Sequence, residues 1–295
     1  MADLAATRRV NYSLFRILTA VFGILPEPVI RRIGRAVGYG LSFVAHRKME
    51  MAERHMTRAR GTSVGAHQAA RRMFASYGRY WAEVFWMRPR RFRQIVDHAE
   101  VIGMEHVDAA RSSGIVLALP HVGNWEAAGA KASDVGLGVL AVAEALGDPR
   151  IVDWFIDVRA KFGIDVIIAD RNPGVTKALL RRLRDKRVVA LPCDRDIGGG
   201  GVPVVFFGEA TTLPAGPVAL ADRTGAHLLV VGCYFNKGRG HRLVVQPRVE
   251  VPDGDTPEER VEKGTQELAY RLEEAIRAQP EQWHMMVPNW PSDRA

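Results

Sequence analysis

The chain has 295 residues, of which 47% are hydrophobic and 25% charged. This composition is ordinary for a globular protein, and the chain is long enough to bury a sizeable core. Its two cysteines, Cys193 and Cys233, both lie in apolar runs, which argues against a disulfide framework and for buried thiols in a reducing compartment. The net charge of +8 is uneven, because residues 1–100 carry 18 Lys and Arg against 7 Asp and Glu, a net +11, whereas the remainder carries −3.

Large aliphatic residues lie between the N-terminal charges. Residues 10–25 would form a helix of about 24 Å, shorter than the ~30 Å hydrocarbon core of a bilayer, and Arg16 interrupts them. A spanning anchor is therefore not expected. A signal peptide is not expected either, because no small-residue cleavage site precedes Pro26. After Pro26, apolar residues recur at three- and four-residue spacing with arginines beside them: Ile30, Ile33, Val37, Leu41 and Val44.

Arginines beside an apolar stripe are typical of a helix that lies in a membrane interface. We therefore predict that residues 1–98 form a helical, membrane-docking region on the cytoplasmic face of the cell membrane, held there peripherally by an anionic surface. Nucleic acid is not expected as a partner. The alternative is a pair of ordinary amphipathic helices that pack on the rest of the domain. Residues 46–98 are expected to continue as helix.

From residue 99 the pattern changes to short apolar runs that alternate with helix-like stretches. The runs predict strands at 114–120, 137–143, 164–169, 188–192 and 228–232. The stretches between and after them predict helices at 124–132, 149–162, 174–186, 214–224 and 257–278. Continuous apolar strands separated by helices indicate an α/β fold with a central, mainly parallel sheet and helices on both faces. Residues 99–295 are thus expected to be one integrated catalytic core.

A candidate base and its orienting carboxylate follow the first of these strands. His121 and Glu126 are five residues apart, so on one helix they would face away from each other by about 140°. If His121 instead lies in the strand-to-helix turn, loosened by Gly123, a carboxylate in the first helical turn can fold back to the imidazole. The spacing alone is a weak signal that favours a purely structural pair. The position at a strand end, where open α/β sheets bind ligands, makes a catalytic pair and a structural pair about equally compatible with the sequence.

The motif resembles a known signature. The stretch PHVGNWE after an apolar strand is similar to the His-x-x-x-x-Asp/Glu motif of the bacterial lysophospholipid and lipid A acyltransferase superfamily. The block VPVVFFG at 202–208, the small-residue helix after it and the tail Glu281-Gln282-Trp283 resemble the late acyltransferases, which include the mycobacterial phosphatidylinositol mannoside enzymes. Glu126 stands where most members have Asp. Its side chain is longer, so the carboxylate reaches further, but the reacting group is the same.

The resemblance implies further site residues. It implies an acidic residue after the second strand at Glu144, a helical arginine at Arg159 and an acidic loop at Asp194 and Arg195, all of which would contribute to substrate binding. Each could equally be a solvated surface charge.

The resemblance also implies a reaction. His121 would remove a proton from a sugar hydroxyl, the resulting alkoxide would attack an acyl thioester, and a thiolate would leave. The implied donor is a long-chain acyl-CoA, palmitoyl-CoA, and the implied acceptor is a mannose 6-hydroxyl of a phosphatidylinositol mannoside. No metal or organic cofactor is required. The missing anchor favours this branch over lipid A acylation. A lipid thioester hydrolase and a non-enzymatic binding module are the remaining alternatives.

Overall fold

The computed structural model describes residues 2–143, 148–169 and 174–294, with side chains from Tyr12 onward. In these ranges the helices are α1 Ala2–Ile24, α2 Glu27–Leu41, α3 His46–Arg60, α4 Ala66–Trp86, α5 Phe92–Val96, α6 Met104–Ala110, α7 Trp125–Asp134, α8 Pro149–Lys161, α9 Val175–Arg184, α10 Gly216–Thr224 and α11 Pro257–Ala278. The strands are β1 Ala99–Ile102, β2 Ile115–Leu119, β3 Val139–Ala143, β4 Ile164–Ile168, β5 Val188–Pro192, β6 Val202–Phe206, β7 Glu209–Leu213, β8 His227–Phe235 and β9 His241–Val245.

Seven strands form the central sheet, in the order β1-β9-β8-β2-β5-β3-β4. The five strands that the sequence predicts are β2, β3, β4, β5 and β8, and all five run parallel to one another. β9 pairs antiparallel with β8, and β1 pairs parallel with β9. β6 and β7 form a separate antiparallel hairpin. The predicted α/β fold with a mainly parallel sheet is therefore confirmed.

Alternate residues of the central strands enter two hydrophobic clusters, one on each face of the sheet. In β2, Val116 and Ala118 pack with α9, α10 and α11, whereas Ile115 and Leu117 pack with α5, α6 and α7. This division follows from the two-residue period of a strand and requires both faces to be covered. Residues of α3 and α4 share the first cluster with α11, so the N-terminal helices and the sheet bury their apolar side chains together.

The expected continuous helix over residues 46–98 is wrong, because the chain breaks twice. Gly61 adopts a left-handed φ of 67° and ends α3, a conformation that glycine adopts at little cost. Pro89 follows the end of α4 and begins a short 3₁₀ turn before α5. The helical region is consequently a set of separate helices that pack around one another.

Glycines, not aliphatic residues, form much of the buried face of α2. Gly34 and Gly38 lie against Gly78 of α4, and a Cβ on Gly38 would come within 2.1 Å of the Phe74 carbonyl oxygen. This close crossing turns most of the predicted apolar stripe outward: Ile30 is buried, whereas Ile33, Val37, Leu41 and Val44 are exposed. In the part of the chain that is described, no helix is both long and apolar enough to cross a bilayer.

Candidate functional site

His121 lies two residues beyond the carboxyl end of β2, in the turn that leads into α7. Gly123 makes this turn possible, since its φ is 63° and a Cβ there would come within 1.9 Å of the Cys233 carbonyl oxygen on β8. Asn124 then caps α7, because its side-chain oxygen accepts hydrogen bonds from the backbone amides of Glu126 and Ala127. The predicted position of His121 in a strand-to-helix turn is confirmed.

The imidazole of His121 is held by Asp194, which follows β5. The two side chains meet at 2.6 Å between Nδ1 and Oδ1, and the backbone amide of His121 donates to Oδ2 at 2.9 Å. Because a carboxylate can only accept, Nδ1 carries the proton of the neutral ring, and Nε2 then carries the lone pair that can take up another. The side chain of His121 remains 27% exposed, whereas that of Asp194 is fully buried. This arrangement suits a general base and its orienting group.

Asp194 stays ionised although it is buried. Burial by itself would raise the pKa of this carboxyl, but the charge of His121 and hydrogen bonds from its ring, its amide and the Trp283 indole outweigh that effect and lower the pKa. The Trp283 Nε1 donates to Oδ2 at 2.7 Å. A second residue of the C-terminal segment, Asn289, donates to the Asp194 carbonyl oxygen at 2.9 Å.

Glu126 was predicted to orient His121 through one ring nitrogen, and the structure places Asp194 on the Nδ1 of that ring. Glu126 does lie in the first turn of α7, as expected, but both of its oxygens pair with the guanidinium of Arg159 on α8, with 2.9 Å between Nε and Oε2. Arg159 was predicted from resemblance as a substrate-binding residue. The bidentate pair joins α7 to α8, and both side chains are largely buried.

A cavity of about 600 Å³ opens beside His121 and extends across one face of the sheet. All seven strands of the sheet contribute lining residues, and α7 and α8 contribute most of the opposite wall. α7 leaves room because it turns Ala128, Gly129 and Ala132 towards the space. The lining is mainly apolar, with His121, Glu126, Arg159 and His284 among its polar members. The geometry therefore places the candidate base on the wall of an elongated apolar chamber.

Cationic side chains also border this cavity. Arg195, which directly follows Asp194 and was predicted to bind substrate, lines the cavity, and so does Lys48 of α3, which the sequence did not single out. Glu144, the predicted acidic residue after β3, lies outside the described residues. The roles of His121, Glu126, Arg159, Asp194 and Arg195 in substrate binding or catalysis stay predictions.

Two side chains at the site were missed by the sequence analysis as functional residues. Trp283 belongs to the Glu-Gln-Trp tail, which served only as a mark of resemblance, and Asn124 belongs to the His121 motif itself. A signal existed for Asn124, since asparagine just before a predicted helix is a common N-cap. No local signal pointed to Trp283, because its contact with Asp194 joins residues 89 positions apart.

Comparison with known proteins finds a matching family and related sequences. A family model described as "Bacterial lipid A biosynthesis acyltransferase" matches residues 2–292. The chain is 40% identical over 225 residues, 74% of its own length and 69% of the relative's, to a phosphatidylinositol mannoside acyltransferase of Mycobacterium tuberculosis (strain CDC 1551 / Oshkosh). It is 37% identical over 228 residues to the protein of the same name from Mycolicibacterium smegmatis, which covers 76% of this chain and 72% of that relative.

Proposed function

The chain belongs to the bacterial lipid A biosynthesis acyltransferase family, and from that premise we propose that it moves a palmitoyl group from acyl-CoA to a mannose of a phosphatidylinositol mannoside. The acceptor is the 6-position hydroxyl of the mannose on inositol. The acceptor class comes from the names of the relatives. The observation that carries the proposal is the His121–Asp194 pair on the wall of a long apolar cavity.

The chemistry needs one proton acceptor and an oriented thioester. His121 Nε2 takes the proton from the mannose hydroxyl while Asp194 stabilises the imidazolium that forms. The oxygen forms a bond to the acyl carbonyl carbon, the carbon–sulfur bond breaks, and the thiolate of CoA takes up the proton from His121. The products are the acylated glycolipid and free CoA.

The cavity suits the acyl chain of the donor. Its walls are the apolar side chains of the sheet and the small residues Ala128, Gly129 and Ala132 of α7. Each methylene removed from water contributes about 0.8 kcal/mol, so a long chain gains far more here than a short one. With the chain in the cavity, the thioester carbonyl would lie beside His121. Palmitoyl is therefore a sensible first donor to test.

The charges that border the cavity suit the anionic parts of the two substrates. Arg195 and Lys48 lie on its lining, and both acyl-CoA and a phosphoinositol lipid carry phosphate groups. Arg159 is engaged by Glu126, so it acts on α7 and α8 rather than on phosphate. We therefore assign phosphate contacts to Arg195 and Lys48, and a positioning role to the Glu126–Arg159 pair.

The outer face of α1 and α2 suits docking on an anionic membrane. Apolar side chains are exposed there although aliphatic residues normally seek burial: Leu14, Ile17, Val21, Ile24, Ile33, Val37, Leu41 and Val44. Arg32 and Arg35 are exposed beside them on α2. Aliphatic side chains among acyl tails, with arginines at the level of the head groups, describe a peripheral interfacial surface. A membrane-bound glycolipid would then reach the site without leaving the bilayer.

The direct test is acyl transfer from labelled palmitoyl-CoA to a panel of phosphatidylinositol mannosides and lipid A precursors, with the wild-type protein and His121→Ala. We expect labelled mannoside with the wild-type protein and a loss of about 10²–10⁴-fold in the variant, the range for removal of a general base. Vesicles with and without anionic lipid test the docking surface in the same assay.

Each other outcome has a distinct meaning. Product on lipid A precursors alone would move the assignment to lipid A acylation. Release of label at the same rate without any acceptor would indicate a thioester hydrolase. Full activity of His121→Ala, or no product on any acceptor, would contradict the proposal.

A further inference from the structure

The C-terminal segment, residues 282–293, runs alongside the candidate catalytic turn. The Gly123 amide donates to the Gln282 carbonyl at 2.9 Å, and the His284 amide donates to the His121 carbonyl at 2.8 Å. Val122 and Trp283 thereby form an antiparallel bridge. The backbone on both sides of Trp283 is thus fixed to the backbone that carries the candidate base.

The side chain of Trp283 reaches from this bridge to Asp194. Its indole N–H donates to Oδ2 at 2.7 Å, the oxygen that also accepts from the His121 amide, so that Oδ1 faces the imidazole. The indole is fully buried, with ring centroids 5.6 Å from those of Phe207 and His55. A fully buried ring in contact with these neighbours has little room to swing away from the carboxylate.

Two of the sequence blocks that marked the family resemblance, the block at 202–208 and the tail, meet at this point. Phe206 and Phe207 come from the β6–β7 hairpin, and Trp283 and Trp290 come from the tail, and all four rings lie within 6.4 Å of one another. The aromatic cluster is the support on which the Trp283 indole rests. From this geometry we infer that Trp283 is a positioning residue, which holds the Asp194 carboxylate in the orientation that serves His121.

The inference rests on the proposed function, because it assumes that the His121–Asp194 pair is catalytic. Of the two donors to Oδ2 described above, loss of the indole would leave the His121 amide. The negative charge of the carboxylate would then be less well stabilised. A carboxylate with fewer donors holds its proton more tightly. The acid limb of the rate profile, where the coupled pair becomes protonated, should then move to higher pH.

Other titratable and charged groups surround the pair and must be separated from it: Cys193, Arg195, His284, His55, Arg58 and Asp293. Burial raises the pKa of the Cys193 thiol, so it stays protonated through the acid limb. Burial lowers the pKa of His55 to about 4 and that of His284 to about 3. Asp293, held by Arg58 and by the backbone of Asn289 and Trp290, has a lowered pKa and is ionised at neutral pH.

The test compares Trp283→Phe with Trp290→Phe. Both tryptophans are fully buried in the same cluster, but the Trp290 indole donates to the Phe206 carbonyl at 3.2 Å and not to Asp194. In Trp283→Phe we expect kcat to fall by about tenfold to a hundredfold with KM little changed, since a hydrogen bond to a charged group is lost. The acid limb should shift upward. In Trp290→Phe the pH profile should match that of the wild type.

A double variant adds a second criterion. On an Asp194→Asn background, Trp283→Phe should cause little further loss of rate, because the group through which it acts is already gone. Equal rates and pH profiles for Trp283→Phe and Trp290→Phe, or additive losses in the double variant, would overturn the role of Trp283. An active His121→Ala protein would instead overturn the proposed function, so the two failures are distinguishable.

If Trp283→Phe does not fold, the wild-type protein supplies the measurement. The Trp283 indole N–H resonance should change position through the same pH range as the acid limb of the rate, because its acceptor, the Asp194 carboxylate, belongs to the coupled pair that takes up the proton. A resonance that stays constant through that range would overturn the inference.

Discussion

Two histidine–carboxylate pairs lie at the end of the sheet where the parallel strands have their carboxyl ends. The His241–Glu83 pair has 2.7 Å between Nε2 and Oε2, much like the 2.6 Å between His121 and Asp194. The difference lies in their surroundings. Glu83 also binds the Arg79 guanidinium at 2.7 Å and the Asn124 amide at 2.8 Å, and both members of the pair are almost fully buried.

The comparison shows how the surroundings of the proposed catalytic pair differ from those of a structural one. Burial would raise the pKa of Glu83, but His241 and Arg79 outweigh it and lower the pKa to about 2. The Glu83 charge is therefore neutralised by a permanent cation, and the pocket beside it has a volume of only about 10 Å³. Asp194 is held by the ring and the backbone amide of His121 and by the Trp283 indole, and its histidine lines a chamber of about 600 Å³. Access to this chamber, and not the pair itself, distinguishes the two.

Removal of the charge of Asp194 should give the largest effect. In Asp194→Asn the amide can donate to His121 Nδ1 and favour the wrong tautomer, so kcat should fall by about 10²–10⁴-fold. The measurement is the initial rate of acyl transfer at saturating substrates. A rate within tenfold of the wild type would show that Asp194 does not serve His121.

The same change in the other pair should act on stability. Glu83→Gln leaves Arg79 buried without its counter-charge, so the free energy of unfolding should fall by about 3–5 kcal/mol. Denaturant unfolding measures the loss, and the rate per folded molecule should fall much less than in Asp194→Asn. If Glu83→Gln instead lowered kcat as strongly as Asp194→Asn, the distinction between the pairs would be wrong.

Local sequence patterns were sufficient to predict one half of the candidate site. β2 is a continuous apolar run and Gly123 marks the turn after it, so the position of His121 follows from neighbouring residues. The same holds for β3, β4, β5 and β8. Strands β1 and β9 were missed because they lie at one edge of the sheet, where β9 alternates between buried and partly buried residues and the apolar run is shorter.

The partner of His121 could not be predicted from spacing. Asp194 lies 73 residues further along the chain and reaches His121 because β5 is the neighbour of β2 in the sheet, which is a property of strand order. Glu126 lay at the right distance in sequence but faces Arg159 on α8. Local spacing decides which residues follow a strand, whereas the order of the strands decides which of them meet.

His284 provides a third case, a buried histidine that hydrogen bonds to the Ser76 hydroxyl instead of a carboxylate. Burial, and then the charge of His121, lower the pKa of His284 to about 3 from an ordinary 6.5. Above pH 6.5 the ring is neutral in both states. Below pH 6.5 the unfolded chain binds a proton at His284 that the folded protein does not bind. The contribution of this group to the free energy of unfolding should therefore fall by about 1.4 kcal/mol for each unit by which the pH is lowered.

Unfolding measurements between pH 7 and pH 4 test this contribution. The free energy of unfolding should change less steeply with pH in His284→Gln than in the wild type, and the difference in slope should correspond to about one proton. An identical slope in the variant would mean that His284 is not the group responsible.

Asn124 connects the structural pair to the catalytic turn, and its substitution should have the smallest effect. Its side-chain oxygen caps α7 and its amide donates to Glu83. Asn124→Ser keeps a capping oxygen and loses the donor, which should cost about 1 kcal/mol of stability, whereas Asn124→Ala loses both and should cost about 1 kcal/mol more. Because α7 begins four residues after His121, kcat should follow the loss of the cap and fall further in the alanine variant. Equal rates in the two variants would mean that Glu83, and not the cap, holds the catalytic turn.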